Sequence, residues 1–157
     1  MSAQVMYRIA TVDDVEQLVH LRTLMQCELN NLDPLKDFVE FKKATRAYFL
    51  ESIKNGSYAC GVAEISGLIV STSGVIFYQK PPSILSNKGT IGYVTNVYTL
   101  KGDRGKGHAT NTLKLIIEES KRRKADKLTL GATDDGLTVY QNLGFKSIPV
   151  PSLELKL

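Results

Sequence analysis

From Asn96 to Thr110 a run of strand-forming residues ends in closely spaced glycines and opens directly into an amphipathic helix. Gly105 and Gly107 admit backbone angles that a side chain forbids, so successive main-chain N–H groups can converge on one point. The first helical turn adds unpaired donors and the positive end of the helix dipole. Such a strand–turn–helix suits phosphate oxygens, and Arg104, Lys106 and Lys101 supply charge nearby. An ordinary glycine turn before a helix reads the same way in this segment alone. Two other phosphate loops do not fit: the string Gly-x-x-x-x-Gly-Lys-Ser/Thr is missing, and Thr110 stands where a dinucleotide fingerprint needs its third glycine.

Around this segment the periodicities alternate between those of strands and helices. Tyr7–Ala10 is a short strand. Val12, Val15, Leu18, Val19, Met25 and Leu29 mark a helix over 12–29, with the charged Arg22 on the same stripe. A second helix runs from about Asp37 to Lys54 and stops at Asn55-Gly56, a left-handed cap. Strands follow at Tyr58–Glu64, Leu68–Tyr78 and Thr90–Leu100, the last with Ile91, Tyr93, Thr95, Val97 and Thr99 on one face. A helix with Ala109, Leu113, Ile116 and Ile117 comes next, then a strand at Lys127–Leu130, a short helix near 135–142, and a last strand within Phe145–Leu157. The order β-α-α-β-β-β-α-β-α-β, without repeat or linker, predicts a mixed α/β fold with one domain over residues 1–157.

Charge is uneven. The chain of 157 residues carries a net +4, yet residues 1–40 hold seven acids against three bases, while residues 101–127 carry nine bases against four acids. A basic zone beside a glycine loop suits a small polyanion better than duplex DNA, whose readers carry recognisable motifs. Lys121–Lys124 also reads as a solvated helix end. Two cysteines, Cys27 and Cys60, read as free thiols of a cytoplasmic protein rather than a disulfide framework. No apolar stretch is long enough for a membrane span. Two widely spaced histidines leave no metal-ligand spacing.

The residues Arg104-Gly105-Lys106-Gly107-His108-Ala109 resemble the Arg/Gln-x-x-Gly-x-Gly/Ala signature of the GNAT acetyltransferases. The strand Gly92–Thr99 before it, and Tyr140 followed by Leu143-Gly144-Phe145, are similar to further markers of that family. The resemblance spans essentially the whole chain. It implies a single-domain fold with a central, mostly antiparallel sheet, splayed between the strands at 91–99 and 127–131 and flanked by about four helices. It implies acetyl-CoA as co-substrate, no metal, and direct transfer of acetyl to an amine while both are bound. The pantetheine arm would lie on Val97, Tyr98 and Thr99, and the diphosphate on Arg104, Gly105, Lys106, Gly107, His108, Ala109 and Thr110.

Acetyl transfer needs a neutral amine and a leaving thiolate. Deprotonating an alkylammonium at neutrality costs about 4–5 kcal/mol, so a base or water relay is expected, with Glu28 and Glu64 as candidate bases and Asn96 as the residue that orients the acceptor or a water. Tyr140 stands where the family places a phenol that protonates the thiolate; packing beside Leu143 and Phe145 is its alternative role. His108 is expected to face solvent or phosphate. Thr133 replaces a coenzyme-binding asparagine common in relatives, and Lys101-Gly102-Asp103 replaces a proline and an aromatic residue, leaving the loop less pinned. Glu28, Asp33, Asp37 and Glu40 form an acidic rim that suits a cationic small-molecule or peptide amine, without nucleic acid or membrane as partner and with a homodimer compatible. A silent acetyl-CoA or CoA sensor is the alternative of another class, and a nucleic-acid-binding protein a third.

Overall fold

Residues 3–157 are described by a computed structural model. Thr11 opens the first helical segment with a reciprocal cap: its side chain accepts from Asp13 N, and Asp14 Oδ2 accepts from Thr11 N at 2.8 Å. That cap divides the expected first helix into a single 3-10 turn, Val12–Asp14, and α1, Val15–Asn30. α1 stops at Asn31 and α2 (Val39–Asn55) at Gly56, both left-handed.

The strands are β1 (Val5–Ile9), β2 (Tyr58–Ile65), β3 (Leu68–Gln79), β4 (Thr90–Thr99) and β5 (Lys127–Thr129), in the spatial order β1-β2-β3-β4-β5. The first four run antiparallel. α3 (His108–Arg122) crosses over from β4 to β5, which makes the last pair parallel. α4 (Asp134–Asn142) follows β5.

Helices cover both faces. Val15, Leu18, Val19 and Leu21 of α1 and Phe49 of α2 close over Tyr58, Cys60, Val62 and Ile69. On the other face Leu113 and Ile116 of α3 and Tyr140 of α4 close over Ala59, Val75 and Val94. Both cysteines are buried and free, and burial pushes the Cys60 thiol up to about 12. Among the described residues no helix is long and apolar enough to cross a membrane.

Two expectations are corrected. The segment from Phe145 to Leu157 forms no strand. Pro149 and Pro151 lack the N–H a ladder needs, and Ile148, Val150, Leu153, Leu155 and Leu157 stand exposed. The one-face alternation over Ile91–Thr99 also breaks: Val94 and Val97, three apart, pack with the α3 cluster, whereas Tyr98 packs with the α1 cluster.

Beside that break β3 carries a glycine for steric reasons. A Cβ at Gly74 would stand 2.1 Å from Tyr58 Oη and 2.7 Å from Cζ. Gly74→Ala should therefore displace the Tyr58 ring and lower stability by about 1–3 kcal/mol, read as a fall in the thermal midpoint; an unchanged midpoint would show that the ring does not lie against this strand.

Candidate active site

A bulge in β4 creates the site. Thr95 pairs with Gly74 and Tyr98 with Thr72, so Asn96 and Val97 together oppose Ser73. Asn96 takes a left-handed conformation, φ +56°, which asparagine tolerates better than most side chains. Its carbonyl accepts from Thr72 Oγ1 at 2.9 Å and its Nδ2 donates to Tyr58 Oη at 3.3 Å. The extra residue reverses the pleat, turning Val97 toward α3 and α4. On the other side β5 pairs with Ile91, Gly92 and Tyr93 only. Beyond Tyr93 no strand among the described residues lies beside that edge of β4, the splay that the family resemblance implies. A cleft of about 470 Å³ lies there, bounded by Val97–Thr99, the end of α1, the start of α3, and α4.

Arg104 and Ala109, which flank the glycine loop, line this cleft. Gly105 and Gly107 have φ of +77° and +82°, and nothing lies within 4 Å of where a Cβ at Gly105 would stand. Gly107 is the N-cap of α3 and no side chain caps the first turn, so the amides there are not taken up by a capping side chain. This combination fits a diphosphate, which needs converging N–H donors and room.

Of the charges assigned to that anion, Arg104 and Lys106 are already engaged. Arg104 donates from both terminal nitrogens to the two carboxylate oxygens of Glu28, each at 2.9 Å, and from Nε to the Thr99 carbonyl at 2.9 Å. Its guanidinium lies 5.3 Å from the centroid of the Tyr98 ring. The pair is solvent-exposed and contributes no more than about 1 kcal/mol, but it straps the loop to α1 and replaces the pinning expected from a proline. Lys106 holds Asp103 at 2.9 Å. The Arg104 hydrogen bonds hold the Glu28 carboxyl below its ordinary range, which makes it a poor proton acceptor. Thr99 cannot offer its carbonyl freely. Farther along α3, Lys121 pairs with Glu118, and Arg122 and Arg123 share Glu119, whose carboxyl they pull down to about 2. Glu118 and Glu119 therefore offset only part of that basic run at the helix end.

Tyr140 projects from α4 into the cleft wall. Its ring meets Phe145 edge-on at 5.9 Å, and a Cβ at Gly136 would lie 3.0 Å from the ring. Burial raises the phenol above its ordinary pKa, and no hydrogen bond among the described residues acts on it. The group therefore stays protonated at neutral pH with a proton to donate. Thr133, the N-cap of α4, lines the same cleft with Ala109, Asp135 and Gly136. Sequence reading passed over Asp135 and Gly136; the Gly136–Tyr140 spacing of one helical turn was the available signal.

Three candidates stand elsewhere. Glu64 lies at the far end of β2, accepting from Arg8 Nε and from Arg8 Nη2 at 2.9 and 2.6 Å, and Arg8 also grips Asp14. It belongs to an ion-pair group that ties β1 and β2 to the start of α1. His108 faces inward rather than toward phosphate or solvent: it is 4% exposed, its Nδ1 bonds the Tyr7 hydroxyl at 2.8 Å, and its Nε2 has no partner. Asn96 lines a different cavity, between β4 and α2.

Residues 26–154 match the family model described as an acetyltransferase (GNAT) domain. Among solved structures, a predicted acetyltransferase with acetyl-CoA from Clostridium acetobutylicum is 31% identical, over 98% of this chain and 96% of its own, with a TM-score of 0.83. A GCN5-related N-acetyltransferase from Ralstonia eutropha is 22% identical over 97% and 99%, with a TM-score of 0.79, and glucosamine-6-phosphate N-acetyltransferase from Arabidopsis thaliana 17% over 97% and 98%, at 0.73. A search of curated protein sequences found no significant match. The chain belongs to the GNAT acetyltransferase family.

The low pKa direction of Glu28 has a kinetic consequence. Glu28→Gln should leave the shape of the pH–rate profile unchanged and kcat/KM within about threefold of wild type, because a lost general base would cost roughly 100-fold or more. A loss of that larger size, with the alkaline limb displaced, would restore Glu28 as the base.

Proposed function

We propose that the protein is an N-acetyltransferase that passes acetyl from acetyl-CoA directly to a primary amine while both are bound. The observation that carries this reading is the open edge of β4 at Val97, lying beside a helix N-terminus with no side-chain cap. The amides from Gly105 to Thr110 would hold the diphosphate. The main chain of Val97 would hold the pantetheine arm, since Arg104 already engages the Thr99 carbonyl. The coenzyme supplies an activated acetyl thioester and a thiolate leaving group of pKa about 8.5.

The residues of the chain do the rest. The backbone N–H at the bulge offers a donor to developing negative charge on the carbonyl oxygen. Tyr140, held protonated by burial, supplies a proton to the departing sulfur. Glu28 is a weak acceptor beside Arg104, and Asn96 does not titrate, so the amine sheds its proton to water, and kcat/KM should climb with pH toward the amine pKa. The acceptor amine is a cation in solution. Of the acidic rim, Glu28 faces Arg104 and Asp37 faces Lys42 at 3.7 Å, which leaves Asp33 and Glu40 to attract it.

A coenzyme-release assay over a panel of amines, run beside Tyr140→Phe, tests the proposal. Wild type should transfer acetyl, and Tyr140→Phe should lower kcat by roughly 100-fold or more, while acetyl-CoA raises the thermal midpoint of both proteins alike. Binding without transfer to any amine would instead make the domain a coenzyme sensor. No thermal shift in wild type would end the proposal.

A further inference from the structure

On the α2 side of the bulge lies a second cavity, of about 380 Å³, within the size range of sites for small ligands. Its walls are aromatic: Phe41, Tyr48 and Phe49 from α2, and Tyr58 from β2. Phe49 and Tyr58 meet at a tilt of 39° with ring centroids 5.3 Å apart, and Tyr48 meets Tyr58 edge-on at 6.0 Å.

Two polar groups in this apolar setting lack partners. Asn96, on β4, is 4% exposed and its Oδ1 accepts no hydrogen bond among the described residues. Arg22, the charged residue on the apolar stripe of α1, lines the same cavity and forms no ion pair among the described residues, whereas Arg8, Arg46, Arg104, Arg122 and Arg123 all face carboxylates. Its charge is felt at the Tyr48 hydroxyl. A partly buried guanidinium without a carboxylate is suited to an anion.

The cavity and the coenzyme cleft are lined by neighbouring residues of the bulge. Asn96 lines one and its neighbour Val97 lines the other, so a molecule reaching Asn96 from the α2 side approaches the same bulge as an acetyl group on Val97.

We propose that this cavity is the acceptor pocket and that it selects amines bearing a carboxylate on an aromatic or bulky apolar body. The amine N–H groups reach Asn96 Oδ1, the ring or alkyl body packs on Phe41, Tyr48 and Tyr58, and the carboxylate pairs with Arg22. Transfer then forms the amide C–N bond and breaks the thioester C–S bond; the ammonium sheds one proton to water before attack and the nitrogen a second after it, while the sulfur takes one from Tyr140, which water reprotonates. The proposal rests on the acetyltransferase reading and adds to it the class of substrate: the acceptor is a zwitterion of amino-acid type rather than a polycation.

The test compares phenylalanine with phenethylamine, which lacks only the carboxylate, on wild type, Arg22→Gln and Arg22→Lys. Each amine is measured both by coenzyme release and, with CoA present, by calorimetric binding. Wild type should prefer phenylalanine by roughly tenfold or more in kcat/KM and in affinity, as one charge-assisted contact supplies. Arg22→Gln should abolish the preference by weakening phenylalanine alone, and Arg22→Lys should restore part of it. Equal handling of the two amines by wild type, an equal loss of both in Arg22→Gln, or acetylation of other amines with neither of these bound, would overturn the proposal and leave the acetyltransferase reading intact. Selective binding of phenylalanine without transfer to any amine would support the pocket while removing the reaction.

Discussion

Asn96 and Val97 share a single partner across the β3–β4 ladder, and most of the chemistry available to this fold follows from that one surplus residue. Without it, Val97 would stay on the α2 face and the strand would present an unbroken ladder. With it, neighbouring residues open onto different cavities, one beside an unfilled strand edge and one walled by aromatic rings. The bulge is held from several directions: Thr72 binds the Asn96 carbonyl, Tyr58 receives its amide, and Gly74 yields the space in which the Tyr58 ring can lie. A left-handed asparagine is costly alone, and these contacts offset that cost.

The loop shows how a basic segment can be quieter than its composition. Arg104 and Lys106 are turned onto Glu28 and Asp103, and Arg122 and Arg123 onto Glu119. What remains for an anion at the start of α3 is mainly the main chain, whose donors are fixed in place by the helix and lose no rotamer freedom when engaged. Arg104 acts as a strap between the loop and α1, drawing Tyr98 and Glu28 into one exposed group at the rim of the cleft.

The parts of this design written in consecutive residues were legible in the sequence. Gly105 and Gly107 declared the turn, the helical stripe declared α3, and the family resemblance around Tyr140 pointed to one residue of the cleft wall. The bulge was hidden because Thr90–Thr99 alternates like an ordinary strand; its sole local trace is an asparagine where a β-branched residue would pair better. Arg104 finds Glu28 across 76 residues and His108 finds Tyr7 across 101, separations that no periodicity encodes. The tail beyond Phe145 misled because alternating leucines resemble a strand, while Pro149 and Pro151 deny it the donors that a strand must supply.

His108 joins two regions that otherwise have little in common. It is the first residue of α3, and the Tyr7 hydroxyl bonds its ring from β1, the outermost strand of the sheet. An opening of β1 would break this bond and so reach the first turn of α3. Reciprocity requires the converse: an anion seated on the amides of that turn steadies β1, and the slowing of amide hydrogen exchange at the sheet margin becomes a remote gauge of whether the loop is occupied.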